Sequence, residues 1–195
     1  MNPSVYLLLS LLTTLLGYFV FRVAVRKDYQ KKGKLSNFST FLEFLIFAVH
    51  ANLSYTFLPA PYPEIPPLPE NCAQTTLGID FLLIGIFFTL WAMSGLGFKK
   101  AFGQDPGALN RAGFYQYTRN PQIVAYGVAV LGIAILWASL YSLGWVLIYG
   151  IVAHMMVTTE EEHLLSIYKE AYEDYCKDVP RYIPVFWRKN NVSSQ

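Results

Sequence analysis

Apolar stretches of bilayer length alternate with short polar segments along the whole chain. Ser4–Val25 is apolar apart from Arg22 and a few hydroxyls, and about 20 such residues cross a bilayer, so it predicts a first spanning helix. Residues 26–37 follow as a basic loop, with Arg26, Lys27, Lys31, Lys32 and Lys34 set against Asp28. Phe38–Leu58 predicts a second span, and Glu43 and His50 fall inside it. Proline then crowds Pro59–Pro69 (PAPYPEIPPLP), which excludes helix and favours an extended loop over a proline-motif ligand. Leu77–Phe98 predicts the third span, with Asp80 near one end, and Lys99–Asn120 is a second basic connection. Pro121–Leu140 and Leu143–Thr158 predict a tight helical hairpin broken at Tyr141-Ser-Leu-Gly144. Beyond Thr159 the last helix leaves the membrane, and Leu164, Leu165, Tyr168, Tyr172 and Tyr175 recur on one face. The expected fold is an all-α integral membrane protein with five transmembrane helices, closed by a cytoplasmic loop and C-terminal helix.

Charge gives this pattern a direction. All 15 Lys and Arg residues lie in or at the edge of the first loop, the third loop and the C-terminal tail. The positive-inside rule then puts the N-terminus outside and the tail in the cytoplasm. A cleaved signal peptide is the rival reading of the first segment, but its basic residues follow the apolar run and no small-x-small site stands out. Composition agrees with a bilayer as solvent: 54% of the 195 residues are hydrophobic and only 14% charged, where soluble domains carry about 25% charged residues. We expect a single membrane domain over 1–195: two spans in 1–58, an external loop in 59–74, a third span in 75–98, and a core in 99–195 with the hairpin at 121–158. Cys72 and Cys176 then fall on opposite sides and cannot pair. The sequons at Asn37 and Asn191 lie on the expected cytoplasmic side and that at Asn52 inside a span, so all three read as chance. Three scattered histidines offer no metal-ligand spacing, and no phosphate loop, hydrolase triad or nucleic-acid patch is present.

Two crossings return the chain to the side it left, so two polar cassettes meet at the base of the hairpin. The first is Gly113-Phe-Tyr-Gln-Tyr-Thr-Arg-Asn-Pro121; the second is Glu160-Glu-Glu-His-Leu-Leu165, running on to Val179-Pro-Arg-Tyr-Ile-Pro184. Pro121 suits a first helical turn, whose unpaired amides favour an acceptor, and Arg119 adds a planar cation. A plain interfacial anchor explains Arg119 equally well. Glu160 facing back into the bundle would accept hydrogen bonds from a ligand hydroxyl or ammonium; a solvated helix end is the plainer reading. Glu43, His50, Asp80 and His154 are ionisable groups inside spans, which marks them for function or for a neutral hydrogen-bonded role.

The motif Leu109-x3-Gly113-x-Tyr115-x3-Arg119-x-Pro121, then a hairpin, then Glu160-Glu-x2-Leu164-Leu-x6-Tyr172-x2-Tyr175-x3-Val179-Pro-x3-Pro184 resembles the isoprenylcysteine carboxyl methyltransferases of membranes, in a compact form, and their phospholipid-methylating relatives. The resemblance covers about the last 90 residues. It implies S-adenosylmethionine as cofactor, leaving as S-adenosylhomocysteine, in a cytoplasmic pocket. By the same resemblance Gly107, Ala108, Leu109, Asn110, Gly113, Tyr115, Asn120, Pro121, Gln122, Ile123 and Glu160 hold the cofactor, with Gln104 beside its adenine. Most relatives have His at the position of Asn120, and the isoprenylcysteine enzymes have a substrate-side Arg at the position of Met156. A lipid-tailed acceptor would enter sideways between spans, with His154, Met156 and Arg181 on its side, and Arg119 or Arg181 orienting an acidic group. Methylation of a carboxylate needs no general base, so Arg119 and Glu160 would act by alignment. The alternatives are a phospholipid N-methyltransferase, an NADPH-dependent sterol-type reductase sharing the Tyr175-Cys-x2-Val-Pro run, and a non-enzymatic transporter or adaptor. Oligomeric state stays open.

Overall fold

The computed structural model describes residues 2–97, 100, 103–104 and 107–185; Phe98, Lys99 and Asn191, which the sequence reading used, lie outside them. Every regular element among the described residues is helical. Helix α1 (Pro3–Tyr18) starts at the Asn2 cap and runs through a π-helical turn (Phe19–Val25) into α2 (Arg26–Lys32), making one apolar rod over Pro3–Lys32. The expected basic loop at 26–37 is therefore helical over most of its length. Its Arg, Lys and Gln residues are good helix formers, and Gly33 is the first position able to stop the helix in a left-handed conformation (φ 67°). Asp28 then turns back to seed α3 (Asn37–Leu53), accepting from the Ser36 amide (3.0 Å) and the Ser39 hydroxyl (2.6 Å).

After a 3-10 turn (Ser54–Thr56) and the proline-rich segment come α4 (Cys72–Leu96), α5 (Pro121–Leu136), α6 (Leu140–Tyr168) and α7 (Glu170–Asp178). Pro3–Lys32, α4 and α6 are long and apolar enough to cross a membrane. Helices α3 and α5 have 17 and 16 residues, about 25 Å at 1.5 Å per residue, and fall short of the roughly 30 Å hydrocarbon core. Of the five expected spans, three are helices long enough to cross a membrane and two are shorter.

The hairpin breaks at Trp137–Ser139, earlier than the Tyr141–Gly144 turn that the sequence suggests. Ser139 caps α6 through a reciprocal pair with Ser142 (3.0 and 2.9 Å), which draws Tyr141 to Gly144 into the helix. At 29 residues α6 is the spine of the molecule. Against it pack the first rod and α3, burying Val20, Phe21, Ile46, Trp145, Val152 and Val157. His50, fully buried, is held between ring and backbone of Trp145: its Nε2 lies 3.0 Å from Trp145 O, the Trp145 indole donates to His50 O at 2.7 Å, and the rings stack. Helix α4 packs chiefly on α5, where a Cβ on Gly85 would come within 2.3 Å of the Ala129 backbone nitrogen. Near contact of these backbones leaves an apolar opening between α4 and α3. Lys169 (φ 48°) separates α6 from α7, and Leu164, Tyr168, Tyr172 and Tyr175 close on Leu109, Cys176 and Val179, while Leu165 points outward.

Candidate functional site

Both cassettes converge on one end of the bundle. The first is stitched to the tail by backbone: Arg119 N donates to Pro180 O (2.9 Å) and Val185 N to Tyr117 O (3.2 Å). Asn120 Nδ2 and the Thr118 hydroxyl both donate to Arg181 O (3.1 Å each), and the Tyr175 hydroxyl to Tyr115 O (2.6 Å). Burial raises the hydroxyl pKa of Tyr115, Tyr172 and Tyr175 above the usual tyrosine range, with the charge on Glu160 adding to the effect at Tyr115.

The three acids at the end of α6 have three different surroundings. Glu162 is half-exposed and pairs with Arg22 (2.8 Å) and Arg26 (3.0 Å) of the first rod. Glu161 is buried and receives Nε and Nη2 of Arg181 on one oxygen (3.0 and 2.7 Å). Its other oxygen lies 3.2 Å from Arg119 Nη1, a charge contact without hydrogen-bond alignment, since that nitrogen donates to Cys176 Sγ. The bond to Glu161 raises the Arg181 pKa further. Glu160 faces a cleft and, among the described residues, has no hydrogen-bond or ion-pair partner.

That cleft is lined by Tyr29, Leu96, Lys100, Gly103, Leu109, Asn110, Tyr115, Gln122, Glu160, His163, Leu164, Tyr168 and Tyr175. It holds about 70 Å³, well below the roughly 300–1,000 Å³ of small-molecule sites, so a ligand of cofactor size would have to part its walls. Tyr29 stacks on His163 at 4.0 Å across its floor, the Tyr115 hydroxyl donates to Gln122 Oε1 (2.8 Å), and the Tyr168 hydroxyl donates to Gly107 O (2.7 Å). Lys100 Nζ donates to Ala108 O. Gln122 also lines a second, almost wholly apolar cleft of about 270 Å³, shared with Glu43, Phe44, Phe47, Thr89, Met93, Ile123, Tyr126 and Met156.

Of the residues expected from sequence, Leu109, Asn110, Tyr115, Gln122 and Glu160 line the first cleft, and Ile123 and Met156 the second. Gly107 and Ala108 border the first through their carbonyls. Gln104 donates to Thr40 (3.2 Å), Gly113 opens the 3-10 turn Gly113–Gln116, and Pro121 starts α5, buried beside Phe114 and Pro184 and away from the first cleft. Arg119, Asn120 and Arg181 form the brace behind the first cleft, and His154 lies on the surface, 2.9 Å from the Tyr182 hydroxyl. Sequence reasoning missed Tyr29, Glu161 and His163. A buried tyrosine inside a run of lysines was the available signal for the first; the other two depend on helix rotation. Among the described residues no group of acids, histidines and cysteines could hold a metal.

Among the described residues, fold and site define an all-helical integral membrane protein with a carboxylate-bearing cleft that shares Gln122 with an apolar cleft within the bundle. The profile of the phospholipid methyltransferase family matches residues 73–171, about half of the chain, and the chain belongs to that family. It is similar to phosphatidylethanolamine N-methyltransferase B of Dictyostelium discoideum, 31% identical over 98 residues that cover 47% of this chain and 49% of that protein. It is also similar to protein-S-isoprenylcysteine O-methyltransferase of Schizosaccharomyces pombe, 34% identical over 77 residues that cover 37% of this chain and 31% of that protein. The chain thus spans half or less of the curated relatives it matches. No solved structure matches it significantly.

Proposed function

We propose that the chain transfers a methyl group from S-adenosylmethionine, held in the Glu160 cleft, to the polar head of a lipid-tailed acceptor lying in the adjoining apolar cleft. The partnerless Glu160 carboxylate carries this reading. An acid partly withdrawn from water in a cleft is costly to leave unpaired, and the hydroxyls and cationic centre of the cofactor are the partners it lacks. The other residues fit the same group: Asn110 and Gln122 offer amides, and Tyr115, Tyr168 and Tyr175 offer flat apolar walls.

When bound, the cofactor supplies an already activated methyl on a sulfonium. The chain's own part is to hold it by Glu160, to align acceptor and methyl near Gln122, which borders both clefts, and to exclude water, effects together worth several kcal/mol of barrier. Arg119 and Arg181 act through Glu161, bracing the tail over the cleft. The mouth between α3 and α4 admits a lipid from the side. Lysines and arginines of 22–34, 100–119 and 169–181 surround the cleft end, which supports a cytoplasmic face for it.

A phospholipid amine is the favoured acceptor, supported by the family match and by Met156, which stands where the isoprenylcysteine enzymes have a substrate-side Arg. The carboxylate of an isoprenylcysteine is the second reading, supported by the likeness to the Schizosaccharomyces pombe protein. An NADPH-dependent reductase is disfavoured because the nearby arginines are engaged: Arg119 and Arg181 with Glu161, and Arg111 with Ala171 O (2.9 Å) and the Tyr175 ring. Thermal unfolding in detergent tests the cofactor. S-adenosylhomocysteine should raise the midpoint and NADPH should not; the reverse result, or stabilisation by neither, would remove the proposal.

A further inference from the structure

Helix α3 lies outside the segment that matches the family, yet it puts a carboxylate into the apolar cleft. Glu43 is 7% exposed and lies among Phe44, Phe47, Met93, Tyr126 and Met156. Among the described residues it has neither a hydrogen-bond nor an ion-pair partner. The other buried polar groups of α3 have side-chain partners within the fold: Ser39 has Asp28, Thr40 has Gln104, and His50 has Trp145 through Nε2, its Nδ1 being left unpaired. Glu43 has no such structural work. Its cleft adjoins that of Glu160, and Gln122 forms a wall of both. Two acids in low dielectric without a cation favour entry of a positive group and repel a third acid.

We propose that Glu43 is the acceptor-side recognition residue, holding the ammonium of a lipid-tailed amine and taking its proton before methyl transfer. This rests on the methyltransferase reading above and adds the group that selects the acceptor. An ammonium has no lone pair. One N–H bond breaks, its proton passing to the Glu43 carboxylate, and the neutral amine keeps the electron pair. That pair forms the N–CH3 bond as the S–CH3 bond of the sulfonium donor breaks, its electrons staying on sulfur. The products are a methylated ammonium and a neutral thioether, and Glu43 returns its proton to solvent. A carboxylate acceptor would need no such step and would meet Glu43 as a like charge. The titratable groups facing Glu43 are Glu160 from α6, Tyr29 from α2 and Tyr126 from α5; α4 presents Thr89 and Met93, which do not titrate.

The test uses the full chain in lipid vesicles with labelled S-adenosylmethionine and two acceptors, phosphatidylethanolamine and N-acetyl-S-farnesylcysteine. The wild type should label the amine and leave the carboxylate essentially unlabelled. Glu43→Gln should keep the thermal shift given by S-adenosylhomocysteine, lose about 100-fold in kcat/KM for the amine, and regain rate as pH rises and the amine deprotonates in water. An unchanged rate and pH profile in Glu43→Gln would overturn the role of Glu43 while leaving the methyltransferase standing. Preference of the wild type for the carboxylate would do the same, and needs no variant to fold. Labelling of neither acceptor, with no shift by the cofactor product, would overturn both this inference and the reading it rests on.

Discussion

Replacing each of three consecutive acids should separate fold from ligand binding. Glu161→Gln removes the counter-charge of Arg119 and Arg181. The Arg181 side chain is 39% exposed, so its share is discounted to about 1 kcal/mol or less. Arg119 and Glu161 are each 11% exposed, and breaking a buried pair costs about 3–5 kcal/mol. Their contact lacks hydrogen-bond alignment, which favours the low end, so the whole loss is about 3 kcal/mol. At roughly 2–4 °C per kcal/mol for a chain of this size, the midpoint in detergent should fall by about 6–12 °C. Glu160→Gln removes a charge that no protein group balances, so its midpoint should hold or rise relative to wild type. Affinity for S-adenosylhomocysteine should nonetheless fall about 10- to 100-fold, as one charge-assisted hydrogen bond is worth about 1.5–3 kcal/mol. Glu162→Gln loses half-exposed pairs with Arg22 and Arg26 and should cost under about 1 kcal/mol. Thermal unfolding with and without S-adenosylhomocysteine reads all three. If Glu160→Gln melts as low as Glu161→Gln, or Glu161→Gln keeps the wild-type midpoint, the assignment of these acids is refuted.

Gly85→Leu should drive α4 from α5, since even a Cβ there meets backbone at 2.3 Å, and a loss of about 1–3 kcal/mol in thermal unfolding is expected; no loss would mean that the two helices do not meet as described. His50→Ala should lower the midpoint by removing the bonds and stacking to Trp145, without altering the dissociation constant for S-adenosylhomocysteine; a changed constant with an unchanged midpoint would contradict a structural role. Tyr115, Tyr172 and Tyr175 have hydroxyl pKa values raised by burial, so the unfolded chain ionises first, near pH 10. The stability they contribute is therefore complete below about pH 10 and lost as pH rises beyond it. Midpoints measured from pH 8 to 11 should drop above pH 10, less steeply in Tyr175→Phe; equal slopes in both proteins would count against this.

The apolar runs and the two cassettes were legible because they depend on composition along the chain, and the structure keeps them at one end of a helical bundle. Boundaries set by single hydrogen bonds were less so. Tyr141-Ser-Leu-Gly144 has the composition of a turn, but Ser139 captures the helix start three residues earlier through Ser142. Glu43 was visible as a charge in an apolar run, whereas the cleft it faces is lined from α3, α4, α5 and α6, which only the packing brings together. The acids of α6 mark the limit most sharply. A string of three glutamates has no preferred member, yet at about 100° per residue successive side chains leave a helix in different directions. Here those directions meet the ligand cleft, the tail arginines and the first rod in turn. The end of α6 therefore joins all three, so a change that rotates it, such as a one-residue insertion between His154 and Glu160, should lose cofactor binding and the tail brace together. Loss of only one would show that cleft and tail are held independently of this helix.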